Sequence, residues 1–340
     1  MFYTINGNTA DEAWLCAAAA FNTGLSSQQA SRIGQTDEVL HAAITIKEPR
    51  QRWVLSRVPV LNPAFCMAEV IWIMCGRNDS AFLTYFNRQL PKFAGDGPKF
   101  HGAYGYRLRN HFGIDQLDRA YQALRGEPNS RQIVLQIWDS RNDLPSNNGL
   151  AAARDIPCNV VALLKVRNRL LEWTQIMRSN DLFLGLPHNI IQFTSLQEIL
   201  AGWLGLEPAE YHHYSDSLHI YASNEDEVNQ ALPAELIHNP DTLNLPKEES
   251  DHAFVVLEAL VIKLIDHAIE GKSLLQALDK LRLPIGYTNM ACILVAEGLR
   301  RRKGHDLMED ALSRCTNPVY LSIFRRWLAR MDRLRMVERK

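Results

Sequence analysis

Three short segments carry residue types that can do chemistry together. The first is DIPCNV, which places Cys158 directly after a proline, behind a loop and at the start of a β-rich run. A thiol becomes a good nucleophile when cationic groups lie near it, because the thiolate is the reactive form. The second is MRSNDLFLGLPHN, residues 177–189. Arg178 and Ser179 put a guanidinium beside a hydroxyl, a natural grip for phosphate. Asp181 adds a carboxylate, and Asn189 adds an amide that both donates and accepts, as reading a nucleobase edge requires. The third is SDSLHIY, residues 215–221, in which His219 and Tyr221 are two apart on a strand and face one side. Each segment has a plainer reading: a core cysteine, a surface loop with a helix cap, a structural pair. Their joint occurrence points to a thiol nucleophile acting on a nucleotide.

These side chains need a sheet and a helix to hold them. Residues 158–166 and 169–177 read as two strands joined at Arg167-Asn168, a hairpin that brings Arg178 toward Cys158. A long helix follows at about 186–204, and a further strand at 218–222. Upstream, residues 9–22 read as a helix with Thr9 as N-cap. Residues 42–58 read as a strand, a turn at Pro49 and a return, and residues 64–76 as a buried helix stopped by Gly76. A glycine-rich loop spans 94–105, a helix 114–125, a strand 131–138 and a polar loop 142–157. Beyond about residue 250 the chain turns helical throughout, at 252–271, 273–282, 288–303 and 306–332. The boundary divides the chain into residues 1–250 and a helical extension, 251–340.

The bulk numbers exclude several classes. The chain has 340 residues, 46% of them hydrophobic, ample for a buried core. Its formal net charge of −1 gives no reason to expect nucleic acid or another polyanion as partner. The apolar runs around residues 65–75 and 254–265 are broken by Glu69, Glu258 and Lys263, so neither supplies the roughly 20 apolar residues of a membrane span. The start of the chain lacks a basic region followed by an apolar stretch, as a signal peptide would have. A soluble cytoplasmic protein is expected. The six cysteines are scattered, without metal-ligand spacing or a disulfide framework, and no metal site is expected.

In content and order these segments resemble the thymidylate synthase family. That family has a proline-cysteine nucleophile, then Arg-Ser-x-Asp, Leu-Gly-x-Pro-x-Asn and His-x-Tyr. Weaker matches place Glu69 and Trp72 (in AEVIWIM), Tyr104 (in HGAYGYRLR) and Arg131 (in PNSRQIVLQIWD). The match runs from about residue 40 to 225. The resemblance implies an α+β fold, a mixed sheet packed with helices, here with a helical C-terminal extension. It implies a pyrimidine nucleotide monophosphate as substrate and methylenetetrahydrofolate as one-carbon donor. Cys158 attacks carbon 6, Asn189 holds the base edge, Glu69 manages protons through water, and Tyr104 assists removal of the carbon 5 proton. Arg178, Ser179 and a partner subunit's copy of Arg131 hold phosphate; His219 and Tyr221 hold the sugar; Asp181 and Trp72 serve the folate. A homodimer with shared sites follows.

The chain departs from the pattern in four respects, the fourth a pair of changes in segments that close the site. Asn159 replaces the histidine after the cysteine, Met177 the glutamine before the arginine, and Gln132 one of two partner arginines; Arg50 or Arg52 is the candidate for the missing phosphate contact. In place of a short apolar closing tail, the chain continues into the helical segment and ends in MVERK. The tryptophan-rich segment is likewise replaced, by FNRQLPKFAGDG. Methylation of dUMP to dTMP is the first expectation. Hydroxymethylation of dUMP, dCMP or CMP is the alternative, because a site open to water gives a hydroxymethyl group. A non-catalytic nucleotide- or RNA-binding protein is the third. Asn189 favours uracil over cytosine.

Overall fold

A computed structural model describes residues 2–31 and 34–338. One mixed sheet organises the chain. Its strands are β1 (Tyr3–Gly7), β2 (Ser27–Ala30), β3 (Gln35–Ile46), β4 (Ile133–Gln136), β5 (Asn159–Arg167), β6 (Leu170–Met177), β7 (Asn180–Asp181) and β8 (Glu207–Tyr221). The order is β1-β3-β8-β6-β5-β4, with β2 on β3 and β7 on β8. The pairs β1–β3, β6–β8 and β7–β8 are parallel, and the others antiparallel. The longer helices are α1 (Ala10–Ala20), α2 (Pro63–Met74), α3 (Gln116–Gly126), α4 (Leu186–Trp203), α5 (Lys247–Ile265), α6 (Gly271–Asp279), α7 (Ile285–Arg301), α8 (His305–Ser313) and α9 (Pro318–Glu338). This is the α+β architecture that the family resemblance implies.

The helix starts obey local chemistry. Thr9 caps α1 by accepting from Glu12 N, and Asn62 caps α2 by accepting from Ala64 N and Phe65 N. α2 is buried almost throughout. Gly105 allows a short helical turn at Tyr104–Tyr106 to lie against it, since a Cβ there would stand 2.4 Å from the Ile73 backbone. α7 is equally buried, and the apolar core is continuous from Ile5 through α2, α4, α5 and α7 to Trp327. The helices after residue 250 therefore share their core with the helices that cover the sheet.

Several details differ from the sequence reading. β3 ends at Ile46, and residues 47–62 form no return strand. They are pinned by side chains: Arg52, buried, donates to Ser195 Oγ at 2.9 Å and pairs with Glu198, and Arg50 donates to Glu198 Oε1 at 2.6 Å. The strand expected at 218–222 is the end of a 15-residue strand, β8. Its first part carries polar side chains inward (His213, Ser215), which hides the apolar alternation. The hairpin turn is Asn168-Arg169, both at positive φ (51° and 62°), one residue later than expected. The helix expected over 306–332 is two, split where Asn317 Oδ1 accepts from Val319 N and Tyr320 N to start α9.

Candidate active site

The β5–β6 hairpin fixes the first contact. Arg178 N donates to Cys158 O at 2.9 Å, which continues the ladder one step past β6. The Arg178 guanidinium is then anchored by Nε to Pro157 O (3.0 Å) and by Nη2 to Ile156 O (3.3 Å), and Nη2 lies 3.9 Å from Cys158 Sγ. It also lies over the Trp138 ring. A cation at this distance stabilises negative charge on sulfur.

Cys158 opens onto a cavity of about 1840 Å³. Glu69, Trp72, Tyr104, Arg178, Ser179, Asp181, Asn189, His219 and Tyr221 line the same cavity. They come from α2, the Tyr104 turn, the segment between β6 and α4, the first turn of α4 and the end of β8. Arg131 does not line it; it is exposed just before β4. Arg50 and Arg52 do not line it either. Both are committed to Glu198, so the expectation that one of them reaches a phosphate is corrected. Arg57, which the sequence reading did not single out, does line it; its guanidinium lies 3.9 Å from the Phe183 ring centre, and Nε donates to Phe183 O. Burial first, then Arg330, pushes Arg57 down to about 10.

The electrostatics follow from enclosure. Burial raises the Tyr104 phenol well above its ordinary value, and the neighbouring Cys158 and Asp155 add to this. Asp181 Oδ1 accepts from Phe183 N and Leu184 N at 2.7 and 2.8 Å. Its Oδ2 is buried without a hydrogen-bond partner among the described residues, and burial raises the carboxyl. His219, partly buried beside it, is lowered by burial. Gln192 Oε1, on another cavity-lining residue, is likewise buried without a hydrogen-bond partner among the described residues. Asn159 is fully buried, with Oδ1 bonded to Gln175 Nε2.

His188 is the residue that sequence reasoning passed over. It follows Pro187 in α4 and precedes Asn189, a histidine in an otherwise apolar helix start, which was the available signal. Its Nδ1–H donates to Glu69 Oε2 at 2.9 Å, and the ring lies edge-on to Phe65. Burial lowers its pKa, but Cys66 and Glu69 outweigh burial and raise it to about 10. The pair is a carboxylate and an imidazolium side by side on the cavity wall.

A thiol one residue before β5, the guanidinium beside it, and a carboxyl, a phenol and an amide line one cavity of an α+β fold. The chain belongs to the thymidylate synthase family: the family model described as Thymidylate synthase matches residues 28–272. It is 35% identical over 195 residues to the deoxyuridylate hydroxymethyltransferase of Bacillus phage SP01, covering 54% of this chain and 50% of that protein. It is 36% identical over 184 residues to the protein of that name from Pseudomonas phage M6, covering 53% and 50%. To a putative thymidylate synthase of Methanothermobacter marburgensis it is 27% identical over 233 residues, covering 68% of this chain and 99% of that one. The chain thus spans about half the length of the two phage relatives. Among the described residues, no helix is long and apolar enough to cross a membrane, and no cluster of His, Cys, Asp and Glu is placed to hold a metal.

The His188–Glu69 pair predicts a pH signature. A histidine raised in the folded state stabilises it fully below its unfolded value of about 6.5. That stabilisation is lost as pH rises through the folded value of about 10. His188→Phe should therefore remove a stability component that declines between these limits. Denaturant midpoints of the two chains should converge from pH 6.5 to 10; a constant gap across that range would contradict the pairing.

Proposed function

We propose that the chain transfers a one-carbon unit from methylenetetrahydrofolate to carbon 5 of a uracil nucleotide, dUMP, and that the product is the 5-hydroxymethyl nucleotide. The observation that carries the transfer is Cys158 Sγ beside Arg178, on the cavity shared with Glu69, Tyr104 and Asn189. In this reading Sγ bonds carbon 6, the carbon 5–carbon 6 π electrons move onto the carbon 4 oxygen, and carbon 5 becomes nucleophilic. Asn189 steadies the base edge as that charge develops. Arg178 and Ser179 grip the phosphate, and His219 and Tyr221 the sugar. Tyr104 assists loss of the carbon 5 proton, with Glu69 handling protons through water.

The cavity suits the folate. Asp181 Oδ2 and Gln192 Oε1 are buried acceptors without partners among the described residues, and a pterin ring carries N–H donors that would satisfy them. Asp181, with Trp72, would hold that ring. When bound, methylenetetrahydrofolate supplies carbon at the level of formaldehyde.

The choice of water over hydride as final partner rests on ionisable groups among the lining residues and on the names of the phage relatives. His188 places a second ionisable group against Glu69. The C-terminal helices reach the cavity and line it with Arg300, Arg301 and Arg330 as well as Trp327 and Met331. A hydrated site favours addition of water to the exocyclic carbon. The names of the phage relatives support the same product. Methylation to dTMP is the second reading. It is supported by the relative called a putative thymidylate synthase, and by the C-terminal helices lining the cavity, where they can cover a bound folate.

The reading includes a homodimer. Arg131 is exposed and away from its own chain's cavity, as a residue serving a partner's site must be. Leu163, Thr174, Ile176 and Tyr214 are half-exposed on the sheet face opposite the core, and this is the surface assigned to the second copy.

Incubation with dUMP and methylenetetrahydrofolate should give a nucleotide with the mass of the hydroxymethyl product and no rise in dihydrofolate absorbance. A methyl product with that rise would install the second reading, and no product at all would overturn both. Cys158→Ala should give no product while still binding dUMP.

Sharing of sites has its own test. A Cys158→Ala chain and an Arg131→Ala chain, each inactive or strongly impaired, should recover activity on mixing, because one hybrid site carries both native residues. No recovery after demonstrated subunit exchange would count against a shared site.

A further inference from the structure

Behind Asn189 lies a polar chain that no step of the proposed reaction uses. Asn189 Nδ2 donates to Asn180 Oδ1 at 3.0 Å. Asn180 Nδ2 lies 2.9 Å from His213 Nε2 and donates to Met177 Sδ at 3.4 Å. His213 Nδ1 lies 2.9 Å from the Tyr211 hydroxyl. All of these except Asn189 are at most 2% exposed, and Asn189 is 7% exposed. Polar groups this deep are kept only with partners of the right kind.

The partners set a direction. A thioether can only accept, so the amino end of Asn180 faces Met177. The same amino group meets His213 Nε2, which must then accept. The ring proton therefore sits on Nδ1 and is donated to the Tyr211 oxygen. Burial pushes His213 down to about 3, so the ring stays neutral and only its tautomer is at issue. Asn180 thus offers its carbonyl to Asn189, and the amino end of Asn189 must turn to meet it. What Asn189 has left for the cavity is a carbonyl oxygen and one N–H. Uracil presents N3–H and O4, a donor and an acceptor, which match that pair. Cytosine presents the reverse order. To read it, Asn189 would have to turn end for end and set its carbonyl against the carbonyl of Asn180. Relief would require reversing the whole chain, against the thioether.

We infer that Asn180, oriented by Met177 and His213, is a specificity-determining positioning residue that fixes the donor–acceptor order of Asn189 and so selects uracil over cytosine nucleotides. The inference rests on the proposed role of Asn189 at the base edge. It also gives a task to Met177, one of the four departures from the family pattern: a glutamine amide could present either end to Asn180, and a thioether cannot.

The test separates binding from turnover. In the full chain carrying Cys158→Ser, dissociation constants for dUMP and dCMP are measured by calorimetry, with and without Asn180→Val. The preference for dUMP should shrink by about tenfold or more when the orienting acceptor is lost. The ratio of kcat/KM values in the Cys158 chain should shrink in parallel. A merely structural role would weaken both nucleotides alike, so an unchanged ratio overturns the inference alone. Binding of neither nucleotide by the Cys158→Ser chain would overturn the functional reading and the inference with it. Should Asn180→Val fail to fold, His213→Leu removes the acceptor that orients Asn180 and is read in the same way: a narrowed ratio supports the inference, and an unchanged one overturns it.

Discussion

The register between β5 and β6 is the constraint on which the site depends. Asn159 opposes Met177 across the two strands, and the ladder runs on to the bond from Arg178 N to Cys158 O. Side chains alternate faces along a strand, so a slip of one residue would send Arg178 and Cys158 to opposite sides. The register is set at the far end by Asn168-Arg169, two residues at positive φ that make the tight turn a right-twisted hairpin favours. The placing of the thiol follows from that turn, nine or ten residues away along each strand, together with one register shift between Asn159 and Val161.

The second organising feature is the layer of polar side chains beneath the cavity floor. Asn159, Gln175, Asn180, His213 and Ser215 are all buried, where apolar residues would be the cheaper filling. Their hydrogen bonds give the floor a fixed pattern of donors and acceptors, which water alone could not hold. Opposite, Glu69 is tied to His188, and the walls formed by α7 and α9 bring three arginines. The cavity is therefore bordered by a buried hydrogen-bond network and by two ion-paired groups, Glu69 with His188 and Glu297 with Arg300 and Arg301. A further buried ion pair, Arg52 with Glu198, to which the half-exposed Arg50 adds a contact, binds the loop after β3 to α4; removing Arg52 would cost about 3–5 kcal/mol because buried Glu198 is left uncompensated.

Much of this was legible in the sequence because the chemistry sits in contiguous strings. The Cys158 segment, the run from Arg178 to Asn189, and the His219–Tyr221 pair each announce themselves by residue type. The hairpin that joins the first two is short enough to read as alternation. What escaped reading was the contact that only packing creates. Glu69 and His188 are 119 residues apart, and no spacing rule connects them. β8 was read only at its end because its first half buries polar residues, so the apolar alternation that signals a strand is absent. Arg50 and Arg52 looked free in sequence and are committed in the fold, because a buried glutamate on α4 claims both. Asn180 stood inside a legible motif, yet its meaning depends on the atoms facing it from β8.

The central claim is that Cys158 forms a bond to carbon 6 of a uracil nucleotide on the way to product. The most direct measurement uses 5-fluoro-dUMP with methylenetetrahydrofolate. Fluorine at carbon 5 cannot leave as a proton does, so the reaction should halt with nucleotide and folate still attached to the protein. Intact-protein mass should rise by the sum of the two ligands, and peptide mapping should place the addition on Cys158. An unchanged protein mass, in a preparation that turns over dUMP, would contradict covalent attack by this thiol.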